Sequence, residues 1–239
     1  LINVVSPLLA LSFTIITTLL LVLDLERPER FFYLLTKPNP RSWLVLGGYI
    51  LMLYGFVALL WLFAGLRGNP PPRLIVWGSA LLAAGSAGYS AFLFAQAKGR
   101  ELWQSPFFLW QLLAHALVAG SAALIVMGAI LGGEPLVVEP LATLLLLSLL
   151  LSLVITLGET MVRRVSRDGE RAIELLTRGA LSRRFWSLAV GMGLFLPLVL
   201  LSLFEFSMTS AVVASVAALA GLWAYEDLWI RAGQALPLS

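Results

Sequence analysis

Long apolar runs alternate with short polar connections along the whole 239-residue chain. Seven of these runs reach the length, about 20 residues, at which a helix crosses the hydrocarbon core of a bilayer. They lie at 1–23, 43–66, 73–97, 105–131, 138–162, 184–204 and 208–230. Pro70-Pro71-Pro72, Pro106, and Gly132-Gly133 with Pro135 punctuate the gaps, where helix breakers belong. Backbone polar groups inside a membrane must pair within the chain, so the pattern predicts an all-α integral membrane protein. No soluble domain or short repeat interrupts it, and residues 1–239 read as a single transmembrane domain. Two connections stand out, at 24–42 and 163–184. The second carries helical periodicity at Ile173, Leu175 and Leu176, which predicts a short amphipathic helix lying on the membrane surface.

Composition sharpens this picture. Sixty per cent of the residues are hydrophobic and 12% are charged, whereas a soluble domain carries about a quarter charged residues. The absence of cysteine excludes a thiolate-held iron–sulfur cluster in this chain. With His115 as the one histidine, a haem held between two histidines of the chain is excluded as well. Charge is distributed unevenly. Arg27, Arg30, Lys37, Arg41, Lys98, Arg100, the arginines from Arg163 to Arg184, and Arg231 fall at the face where the first run ends; the other face has Arg67 and Arg73. The positive-inside rule makes the basic face cytoplasmic, unless some of those arginines serve an acidic partner.

Acidic groups also gather toward the basic face. Asp24 ends the first run, Glu159 lies four residues before Arg163, and Asp227 four residues before Arg231. That spacing puts each acid and arginine on one helix face, where structural pairing competes with a functional role. Tyr89 and His115 lie deeper, roughly 12–15 Å below the basic face at ~1.5 Å per residue. Gln96, Glu101, Gln104 and Gln111 line the sequence between them and that face. A phenol and an imidazole in an apolar cleft suit the two-oxygen head of a quinone, and imidazole exchanges protons near neutral pH. A helix–helix hydrogen bond is the plainer alternative.

Four stretches resemble the NrfD/polysulfide reductase membrane-subunit (PsrC-like) family. They are Asp24-Leu-Glu-Arg-Pro-Glu-Arg-Phe31 with Asn39-Pro-Arg-Ser-Trp43, Gly88-Tyr-Ser90 with Trp103-Gln-Ser-Pro106, Thr177-Arg-Gly-Ala-Leu181 with Arg184-Phe-Trp186, and Arg231-Ala-Gly-Gln234 with Pro237-Leu-Ser239. The resemblance implies a quinone- or quinol-binding (menaquinone or ubiquinone) membrane anchor with no haem or iron–sulfur cluster of its own. It implies a four-cluster ferredoxin-like iron–sulfur partner wired to a molybdopterin (Mo or W) catalytic subunit, in a prokaryotic cytoplasmic membrane. The family usually has eight helices in two four-helix bundles; an additional helix is therefore expected ahead of the apolar start at Leu1. Tyr89 aligns with a tyrosine the family uses at the quinone, while His115 rests on the depth argument.

The resulting expectations are Tyr89, His115 and Gln111 at a quinone, and Asp24, Glu101, Glu159 and Asp227 as a proton path. Arg27, Arg30, Arg41 and Arg231 are expected to dock the iron–sulfur partner. No metal-ligating or nucleic-acid-binding pattern is present. The rival of a different class is a proton-path or structural membrane subunit of a larger respiratory assembly, like those of alternative complex III. Thr143, Ser148, Ser152 and Thr156 would have to supply its mid-membrane steps. A secondary transporter would need broken helices, and Pro197 is the one obvious breaker.

Overall fold

The computed structural model describes residues 2–25, 27, 31, 33–132, 138–161, 167–204 and 207–235. Among these there is no strand, and seven helices are long and apolar enough to cross a membrane. Their boundaries follow the apolar runs within a few residues. The chain divides into two compact units, Leu1–Leu93 and Phe94–Ser239.

The first unit holds α1 (Ile2–Leu23), the single turn α2 (Tyr33–Thr36), α3 (Trp43–Leu66) and most of α4 (Arg73–Ala95). These sequences are apolar on every side, so their helices expose large side chains such as Phe13, Leu20, Phe56 and Trp77 to lipid. α1 and α3 pack side by side along their length. On α3, Gly47 leaves the space that the Tyr89 ring of α4 fills; a Cβ there would overlap the ring. Trp43 stacks on Phe92 at 4.3 Å, fixing the same two helices near their ends.

The second unit is a four-helix bundle of α5 (Phe108–Ile130), α6 (Val138–Met161), α8 (Ser182–Leu203) and α9 (Met208–Gln234). A short 3-10 turn, Glu101–Gln104, precedes α5. One half of the bundle has a largely apolar core, with Val118, Leu145, Leu149 and Leu201 against Ala211, Ala214 and Ala218 of α9 and a few buried serines such as Ser148 and Ser215. Small residues along α9 allow this close approach without large side chains to interlock. In the other half the core turns polar and aromatic.

α8 is irregular where the sequence places its breaker. Residues Phe185–Phe195 form a π-helical stretch, after which Leu196–Leu203 is α-helical with Pro197 at its start. Proline removes one donor and its ring crowds the carbonyl four residues back; the wider turn ahead of it accommodates both. The result is a continuous membrane helix, not the broken helix of a transporter. Next to the widened turn, Gly193 and Gly221 lie backbone to backbone, closer than any Cβ would permit.

Two expectations change. The amphipathic segment forms α7 (Arg167–Thr177), but its apolar stripe does not face lipid. Ala172, Ile173 and Leu176 are buried against α9, the 101–104 turn and the start of α8, because these elements offer an apolar seat within the unit. The seventh run also stays helical past residue 230. The ion pair of Asp227 with Arg231 (2.8 Å) supports that last turn, and Arg100 Nη1 donates to the carbonyls of Gly233 (2.9 Å) and Gln234 (3.1 Å). Those carbonyls have no partner within the helix. Arg100→Ala is expected to fray α9 here, at a cost of about 1 kcal/mol. The readout is faster amide hydrogen exchange at Ala232 to Ala235 with the remainder of α9 unchanged.

Candidate functional site

The polar half of the second unit holds a connected set of side chains from three helices. Gln111 and His115, one turn apart on α5, face Ser152 and Thr156 of α6 and Glu226 of α9. Four-residue spacing on α5 and on α6 puts each pair on one helix face, so the two polar stripes meet. His115 Nδ1 lies 2.6 Å from Glu226 Oε1. Gln111 Nε2 contacts His115 Nε2 and lies 3.1 Å from Ser152 Oγ and 3.2 Å from Thr156 Oγ1. With the amide donating to Nε2, neutral His115 carries its proton on Nδ1 and donates it to the Glu226 carboxylate.

Two features give this set chemical freedom. The Gln111 amide nitrogen has two hydrogens for three neighbouring acceptors, while its oxygen is buried without a partner among the described residues. A half-turn of the amide would present the oxygen to both hydroxyls and to a protonated Nε2. The turned amide would in exchange aim its two N–H donors at the buried place where the oxygen now lacks a partner, so serving charged His115 costs an unsatisfied donor. The second feature is exposure. Gln111, Ser152 and Thr156 are 3% exposed or less, whereas the Glu226 side chain is 34% exposed. Glu226 is the outlet of the network.

A cavity of about 10 Å³ adjoins it, lined by His115, Ser152, Ala189, Gly193, Gly221 and Tyr225. That is space for about one water molecule beside two polar partners. An aromatic series continues from His115 toward the 101–104 turn. Tyr225 meets the imidazole edge-on at 4.9 Å and stacks on Trp229 at 5.7 Å; Trp229 stacks on Phe108 at 6.1 Å. Phe94 then bridges Phe108 and Trp103.

Of the expected proton-path residues, Glu159 is 2% exposed and accepts a hydrogen bond from Ser105 Oγ at 2.8 Å. It sits one turn beyond Thr156 on the same helix face. Asp227 is held by Arg231; Glu101 and Asp24 are exposed at helix ends. Arg27 and Arg41 are exposed in the first unit and Arg231 in the second; Arg30 and Arg163 lie outside the described residues. Tyr89 is buried in the first unit, and His115 belongs to the second. Ser105→Ala is expected to lower stability by about 1 kcal/mol, read as a lower melting midpoint of the detergent-solubilised protein.

Glu226, Ser105 and Tyr225 were not among the site residues the sequence pointed to. For Glu226 a signal existed: it lies about two turns from the end of its helix, as His115 lies from the start of its own, which matches their depths. Nothing in the sequence marks Ser105, because its role depends on how the 101–104 turn folds over α6.

No group of three or more metal-ligating side chains occurs among the described residues. A family model described as "Polysulphide reductase, NrfD" matches residues 1–237. A curated protein of Halobacterium salinarum, provisionally named as a membrane subunit of dimethyl sulfoxide reductase, is 28% identical over 142 residues. The matched stretch is 50% of this chain and 33% of that relative.

Proposed function

The chain belongs to the polysulphide reductase, NrfD family, and from that premise we propose that it is the quinone-reactive membrane subunit of a molybdoenzyme-type oxidoreductase. It exchanges electrons between a membrane quinone pool and an iron–sulfur subunit, which passes them to or from a molybdopterin subunit. The observation that carries this reading is the His115–Glu226 pair, an ionisable couple with a buried imidazole and a partly exposed carboxylate, beside an amide whose oxygen has no partner among the described residues. Intramembrane ionisable groups are costly and mark ion, proton or ligand sites. The name of the Halobacterium relative, a membrane subunit of a reductase, supports the same assignment.

A quinol supplies two electrons and two protons; the residues of this chain deal with the protons. The Tyr89 phenol of the first unit is suited to a quinone carbonyl, while Gln111 Oε1, buried in the second unit, is an acceptor for a proton-bearing neighbour within the network. Glu226 takes a proton at its carboxylate and His115 holds one at Nδ1. Arg27 is exposed and available to an acidic iron–sulfur subunit, Arg231 is exposed but paired with Asp227, and the basic face lies in the cytoplasm. Tyr89→Phe and His115→Ala are expected to lower quinone-linked turnover of the complex and to leave dye-linked activity of its catalytic subunit intact. Unchanged quinone turnover in both variants overturns the assignment.

One observation favours a second reading. Both ring nitrogens of His115 are already engaged, an arrangement better suited to passing protons than to gripping a head group. On this reading the second unit is a proton-conducting module, with Glu159, Thr156, Ser152 and Gln111 leading to His115. Proton release by the reconstituted complex separates the two: a His115→Ala variant that keeps quinone affinity but loses proton release favours the module.

A further inference from the structure

A groove in the first unit takes no part in the site described above. It has a volume of about 260 Å³ and runs between α1 and α3, from Phe31, Leu21 and Val45 to Thr14 and Gly55. Val45 to Gly55 is ten residues of α3, about 15 Å of helix, which matches one leaflet's share of a hydrocarbon core about 30 Å thick. The polar groups of its wall are committed elsewhere. Thr14 Oγ1 donates to the Ala10 carbonyl at 2.7 Å and Thr18 Oγ1 to the Thr14 carbonyl at 2.8 Å. Tyr49 also has a partner. The wall of the groove is mostly apolar, and two of its hydroxyls already donate within α1, a lining suited to a hydrocarbon chain.

The shallow end carries the opposite character. Lys37 follows α2 and Arg41 lies two residues before the start of α3, both exposed. The Lys37 ammonium sits over the Tyr33 ring at 5.8 Å, which holds it at this end of the unit. Basic side chains at the surface of an interhelical groove recognise anionic head groups.

We propose that the α1–α3 groove is a binding site for one anionic phospholipid, its acyl chain along Thr18, Val45 and Met52 and its phosphate between Lys37 and Arg41. Arg41 is thereby assigned to lipid and not to subunit docking. The proposal does not depend on quinone chemistry in either unit.

Native mass spectrometry of the detergent-solubilised complex tests it, after equilibration with equal amounts of dioleoylphosphatidylglycerol and dioleoylphosphatidylcholine. One phosphatidylglycerol is expected to be retained in preference to phosphatidylcholine. Lys37→Gln and Arg41→Gln are each expected to reduce that preference about five-fold, at exposed positions where the fold is not at stake. Thr18→Leu, which narrows the groove without removing a charge, is expected to release the lipid with the melting midpoint unchanged. Equal retention of the two phospholipids overturns the proposal. So does a quinone retained in the groove in place of phospholipid, or loss of the iron–sulfur subunit from the charge variants while lipid stays bound.

Discussion

Glu226→Leu is expected to slow quinone-linked turnover of the complex by roughly a hundred-fold, the scale of a lost acid–base partner, while dye-linked activity of the catalytic subunit is unchanged. The substitution removes the acceptor of the His115 Nδ1 proton, 2.6 Å away, and closes the one exposed end of the network. Glu226→Gln separates the two roles a carboxylate can have here. The amide keeps a hydrogen-bonding partner for His115 but cannot take up a proton. If Glu226 carries protons, the Gln variant is nearly as slow as the Leu variant, kcat falls with KM little changed, and the solvent deuterium isotope effect grows. If Glu226 only positions His115, the Gln variant recovers most of the rate. That recovery would refute proton transfer through this residue.

The largest structural effect is expected at the crossing of α8 and α9. A Cβ at Gly193 would lie 2.6 Å from the Gly221 Cα, and one at Gly221 would overlap the Gly193 backbone. Neither neighbour is a side-chain end that can rotate away; the helices themselves must separate. Gly221→Ala is expected to destabilise the second unit by about 3 kcal/mol, the upper part of the range for overpacking. For a chain of this length that corresponds to a fall of roughly 6–12 °C in melting midpoint. Gly221→Leu is expected not to accumulate as folded protein. Because Gly221 precedes Tyr225 by one turn, the alanine variant should also lengthen the His115–Glu226 contact and lower quinone-linked turnover. A Gly221→Ala protein with an unchanged midpoint would show that the two backbones are not in contact.

The membrane helices were legible because bilayer thickness and backbone pairing leave few solutions. An apolar run such as 43–66 has to become a helix of about that length, and α3 has these bounds. The placement of His115 inside the fourth long helix was legible for the same reason. Its partners were not. Glu226 competes with Asp227 next to it, and the periodic i,i+4 match with Arg231 drew attention to Asp227, a pair that proves to be an exposed clasp at the helix end. Helix rotation decides which of two neighbouring acids faces the bundle, and an almost uniformly apolar helix carries little information about rotation. The burial of the stripe on α7 was hidden for another reason. An amphipathic helix has the same pattern whether its apolar face meets lipid or protein.

The polar end of α9 has a consequence for how the protein is made. Its last turns carry Glu226, Asp227 and Arg231 close together, and charges carried into a bilayer with an inserting helix are costly unless they find partners. Synthesis runs from the N-terminus, so α5 and α6 reach the bilayer before α9 emerges from the ribosome. By then His115, Ser152 and Thr156 stand ready, and Arg100 waits for the last carbonyls of the incoming segment. The His115–Glu226 contact then gives α9 a polar partner as it enters the bilayer and acts as a latch for its integration.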